Sequence, residues 1–60
     1  MDEVISIEVT GQEEGTKLIE YLASQGSWVT PFVYTQGNSY YVKAAISQCE
    51  MEQAIAYIRE

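Results

Sequence analysis

A chain of 60 residues has room for one hydrophobic core, and a domain that small buries only about 60% of its unfolded surface, so it is marginal without a staple or a partner. One cysteine and no histidine exclude an intrachain disulfide and leave no ligand set for a zinc site. Nine acids against three bases give a net charge of −6, which repels phosphate backbones and anionic lipid, so direct binding to nucleic acid or membrane is not expected.

The chain opens on an alternating run. Ile5, Ile7 and Val9 fall on one side of a strand, and Ser6, Glu8 and Thr10 on the other. Period two over such a stretch predicts a strand with one buried face. Asp2, Glu3 and Glu8 then lie on its outer face or at its start. Thr10 and Glu13 have the spacing of a capping box, which predicts a helix over about residues 12–25. Leu18, Leu22 and Ile19 form its buried stripe, with Tyr21 at the edge. Gly15, one turn earlier, permits a close approach of helix to sheet. Gly26 is placed to end the helix in the left-handed conformation.

From Trp28 to Ser47 two runs rich in β-branched and aromatic residues flank Gly37-Asn38, which predicts a β-hairpin. Pro31 cannot donate to a ladder, so its strand belongs at the edge of a sheet. Ser47 and Glu50 repeat the capping-box spacing, and Met51, Ala54, Ile55 and Ile58 stand at i, i+3, i+4 and i+7 of a closing helix over about residues 48–59. A right-handed crossover then inserts the third strand between the first two.

The expected architecture is a single compact α+β domain over residues 1–60, with element order β-α-β-β-α. It has a three-stranded antiparallel sheet in order 1-3-2 and both helices on one face. In topology alone this resembles a ferredoxin-like split β-α-β unit without its fourth strand. The absent strand leaves the edge of the first strand open.

Hairpin register decides the surface. With an even loop, Val33 faces Val42 and Val29 faces Ile46. The helix side then carries Val29, Pro31, Val33, Val42, Ala44 and Ile46, and the far side Trp28, Thr30, Phe32, Tyr34, Tyr41, Lys43 and Ala45. An odd loop instead sends Trp28, Phe32 and Tyr34 into the core. A two-residue Gly-Asn turn, in which both residues can take positive φ, favours the even register. Trp28, Phe32, Tyr34, Tyr41 and Lys43 are then the candidate protein-binding residues, because soluble monomers seldom leave a large apolar patch bare and aromatics anchor interfaces.

Catalytic, cofactor and metal motifs are not found. Cys49 sits at the second position of a helix, where a thiol can be activated, but Glu50 and Glu52 oppose that and no histidine serves as base. Glu13 with Glu14, and Glu50 with Glu52, read as first-turn acids that complement the helix dipole. Gly11 and Gly15 match no phosphate-binding fingerprint. Aromatics on a sheet face suit base stacking, yet Lys43 is the single cation among them.

The expectation is therefore a small acidic protein-binding module and not an enzyme. It acts as a regulator or adaptor and forms a homodimer through the open sheet face or the first strand's edge, with another protein as the other possible partner. The alternative is an acidic inhibitor, of the phage-encoded nucleic-acid-mimic kind, that blocks a basic site on a target. Its acids are spread over Asp2, Glu3, Glu8, the two helix starts, Glu20 and Glu60. No run approaches the ~20 apolar residues of a membrane span and no signal segment is visible. Met1 reads as the start of a complete product, and cytoplasmic residence is expected.

Overall fold

The computed structural model describes residues 3–59; Met1, Asp2 and Glu60 lie outside the described residues. The elements are β1 (Glu3–Val9), α1 (Gln12–Ser24), β2 (Tyr34–Gln36), β3 (Ser39–Ile46) and α2 (Gln48–Ile58). The sheet order is β1-β3-β2, with both neighbouring pairs antiparallel. The α+β topology is the expected one.

One aliphatic cluster joins the layers. Ile7 and Val9 from β1, Val42, Ala44 and Ile46 from β3, Leu18 and Leu22 from α1, and Ala54 from α2 are all buried. Strand alternation supplies the five from β1 and β3, and the helical stripes supply Leu18, Leu22 and Ala54. Ile5, Ile19, Tyr21, Met51, Ile55 and Ile58 are partly buried around them. Gly15 is itself buried, and a Cβ built on it would collide with the Val33 side chain. The absence of a side chain there is what lets α1 settle onto the β2 side of the sheet.

The two helices start differently. Ser47 caps α2: its Oγ accepts the Glu50 backbone N–H at 3.2 Å, and its hydroxyl donates to Glu50 Oε1 at 3.1 Å. The expected box of Thr10 and Glu13 does not form. Gly11 is the N-cap of α1 and makes no side-chain bond, and Glu14 in place of Glu13 accepts the Thr10 N–H at 3.0 Å. Extended backbone at Gly11 delays the helix by one residue, so the carboxylate one position later is the one that reaches back. Glu13, Glu14 and Glu50 stand in first turns, whereas Glu52 falls beyond the first turn of α2. At the other end of α1, Gly26 has φ +82°. The Ser27 N–H reaches the Leu22 carbonyl and the Gly26 N–H the Ala23 carbonyl, the paired bonds of a Schellman stop.

The hairpin has the even register, with Tyr34 opposite Tyr41 and Gln36 opposite Ser39. Its two-residue turn uses positive φ at Gly37 (+63°) and not at Asn38, the pattern of a type II′ turn. Ahead of Tyr34 the ladder breaks. Val29 pairs with Ala44 in an isolated bridge, not with Ile46 as a uniform register predicts. Two extra residues are therefore looped out on this strand, at the bend of Pro31 and Phe32. Proline's missing N–H makes this the natural place for the ladder to open. The insertion is even-numbered, so Val29 and Val33 both stay on the helix side, half-buried against the core. Pro31, expected among the core-facing residues, is exposed in the bulge.

Candidate protein-interaction surface

Helices cover one side of the sheet only, and alternation sends a second set of side chains to the other. Three rows cross that open face. The first is Val4, Ala45 and Trp28, since Val4 pairs with Ala45 and the Ala45 N–H bonds the Trp28 carbonyl at 2.9 Å. The second is Ser6, Lys43 and Thr30, where Thr30 N–H bonds the Lys43 carbonyl and Thr30 Oγ1 accepts the Lys43 N–H. The third is Glu8, Tyr41 and Tyr34.

The candidate residues divide into two groups. Tyr34 and Tyr41 stack with ring centroids 5.8 Å apart. Tyr34 then reaches across β3, so that its hydroxyl lies 3.1 Å from Ser6 Oγ on β1. Lys43 Nζ sits 5.5 Å from the Tyr34 ring centroid, a cation–π contact worth about 0.5–1 kcal/mol at an exposed site. These contacts hold both tyrosines half-buried against the sheet. Trp28 and Phe32 have no such support: they are 55% and 61% exposed. Trp28 heads the first row, and Phe32 projects from the bulge.

Val4, 61% exposed, and Ser6 were not among the sequence-derived candidates. Period two already placed Ser6 beside Glu8 on one face, and Val4 has the same parity. What was not visible is that Tyr34 crosses a whole strand to reach Ser6. Tyr40 shares the parity of Val42 and lies on the helix side, partly buried against the core.

The edges of the sheet also differ. On β3, Lys43 and Ala45 direct their backbone groups to the Trp28–Thr30 segment. Alternation turns the groups of Val42, Ala44 and Ile46 toward β1, where their partners are Ile7, Ile5 and Glu3. The backbone N–H and C=O groups of Val4, Ser6 and Glu8 therefore point away from the sheet, along a strand free of proline, bulge or lysine. The opposite edge is three residues of β2 followed by the Pro31 bulge. That edge is short and broken at a proline, two features by which proteins blunt strand addition; β1 has neither, and carries charge only at Glu3 and Glu8.

The helix layer has its own features. Tyr21 and Tyr57 stack at 4.6 Å beside an open groove lined by Lys17, Glu20 and Ser24. Glu14 receives two bonds from Arg59, at 3.1 and 3.3 Å, tying the start of α1 to the end of α2. The Arg59 hydrogen bond lowers the Glu14 pKa below its ordinary value, aided by the Thr10 N–H and opposed by desolvation. Cys49 is exposed, with Gln53 Nε2 3.7 Å from its sulfur. Among the described residues no three acidic, thiol or imidazole groups gather as metal ligands would, and no helix is long and apolar enough to cross a membrane.

No protein family, curated protein or solved structure matches this chain.

Proposed function

We propose that the chain is a small non-enzymatic protein-interaction module that self-associates through its open sheet face or the free edge of β1, and so acts as a regulator or adaptor. The observation that carries this reading is the exposure of Trp28, Phe32 and Val4 on or beside a sheet face that no second layer covers. Tyr34, Tyr41 and Lys43 complete that surface, and the free edge of β1 borders it. Large apolar groups left bare on a soluble domain mark contact sites, and a 60-residue core gains stability from burial against a partner.

Sedimentation velocity over a concentration series, in low and in high salt, tests the reading. A species near twice 6.8 kDa that persists in high salt is expected, because apolar burial and backbone pairing resist screening where surface charge does not. A strict monomer at every concentration in both buffers overturns self-association.

A further inference from the structure

We propose that two copies pair β1 with β1 antiparallel about a two-fold axis at Ser6, fusing two three-stranded sheets into one continuous sheet. This rests on the self-association reading and assigns it to the strand edge. Val4, Ser6 and Glu8 turn their backbone groups outward, so pairing must join even-numbered residues to even-numbered residues. That same parity keeps Ile5 and Ile7 of both copies on the helix side, and it leaves the two open faces on one side of the joined sheet.

Ser6 is the midpoint of β1 (Glu3–Val9), so an axis there gives the longest ladder. Ser6 meets Ser6, Val4 meets Glu8 of the second copy, and the narrow pairs exchange roughly six backbone hydrogen bonds. Ile5, only partly buried in the single chain, then lies opposite the second copy's Ile7, which completes its cover.

Charge disfavours one of the two neighbouring registers. With the axis at Ser6, the two Glu8 positions are about 14 Å apart, from ~3.3 Å per residue and ~4.8 Å between strands. That exceeds the Debye length of ~8 Å at physiological salt. An axis at Ile7 brings them to about 8 Å and shortens the ladder, and an axis at Ile5 shortens it as well. Two acidic chains can thus meet along this edge without setting acid against acid.

The dimer leaves the aromatic face free and doubles it. Tyr34, whose hydroxyl meets Ser6, ends beside the axis, while Trp28 lies on the segment paired to the far side of β3. The joined sheet therefore presents a broad surface to a further protein. Seven residues a side is a small contact against the roughly 20–30 of a standard interface, so association is expected to vary with concentration over roughly the micromolar range.

The experiment follows amide hydrogen exchange of the full chain at low and high concentration, beside sedimentation. On dimerisation the Val4, Ser6 and Glu8 amides are expected to slow about tenfold or more. A Ser6→Pro variant, which removes one outward N–H and leaves the β1–β3 ladder its donors, is expected to sediment as a monomer with native circular dichroism. Trp28→Ala is expected to remain a dimer. A dimer whose three amides stay unprotected, and which Trp28→Ala dissociates, overturns the edge assignment while leaving the module reading in place. A chain monomeric at all concentrations overturns both. If Ser6→Pro fails to fold, the exchange pattern of the unaltered chain still decides between these outcomes.

Discussion

The two faces of the sheet are built from the same strands and differ in how they are held. On the helix side small and branched aliphatics are sealed: Val42, Ala44 and Leu18 have no exposed surface. On the open side, larger groups do less for the fold. Tyr34 and Tyr41 lean on one another, Lys43 lies over a ring, and Trp28 and Phe32 are more than half exposed. Side-chain size is thus a poor guide to structural importance here. What counts is whether a second layer excludes water from the group.

The largest test of that contrast is Leu18→Ala. It removes a fully buried side chain from the centre of the core, and a loss of about 2–5 kcal/mol is expected. That is enough to unfold much of a marginal domain, as urea denaturation followed by circular dichroism would show. Equal stability to the parent chain would mean that the core is not where it has been placed here.

Gly15→Ala comes next. Alanine favours a helix by roughly 1 kcal/mol over glycine, so an exposed glycine at this point would gain stability from the change. Here the new methyl meets Val33, and the net effect is expected to be destabilising, with overpacking of about 1–3 kcal/mol. Adding Val33→Ala makes room and is expected to return part of the loss. If Gly15→Ala stabilises the chain, the close approach of α1 to Val33 is refuted.

Glu14 gives a smaller, pH-dependent effect. Its pKa lies below the ordinary 4.5 because Arg59 hydrogen-bonds the ionised form. The folded chain therefore binds that proton less readily than the unfolded chain. The contribution is fully present above the unfolded pKa and is lost as pH falls through the folded one. Denaturation midpoints at pH 7 and pH 3 are expected to differ less in Glu14→Gln than in the parent. An unchanged difference would separate Glu14 from the acid sensitivity of the fold.

Smallest of all is Trp28→Ala. On the open face it is expected to change unfolding free energy by no more than about 0.5 kcal/mol, although it deletes a larger side chain than Leu18→Ala does. A loss of several kcal/mol would erase the distinction between the faces.

Much of the fold was legible in order. Alternation in Val4–Val9, the stripe of Leu18 and Leu22, the Ser47 cap and the Gly37-Asn38 turn are all encoded within a few residues. Each acts through local geometry, so each could be read without tertiary contacts. The open edge of the first strand and the side of the sheet that carries the aromatics followed from topology and parity.

Other features needed the folded chain. The Pro31–Phe32 bulge, with its shift of Val29 from Ile46 to Ala44, depends on where β3 passes. Glu14 replaced Glu13 in the link to Thr10 because the N-cap moved to Gly11, and Arg59, 45 residues later, comes to the same carboxylate. Tyr34 reaches Ser6 over 28 residues of separation, which no periodicity records. Sequence alone determined which elements form, in what order, and which side of each is apolar, because those rest on interactions between near neighbours. Tertiary structure decided which aromatics are held and which are left bare, because that depends on side chains far apart in the chain meeting, or failing to meet, across a sheet with one uncovered face.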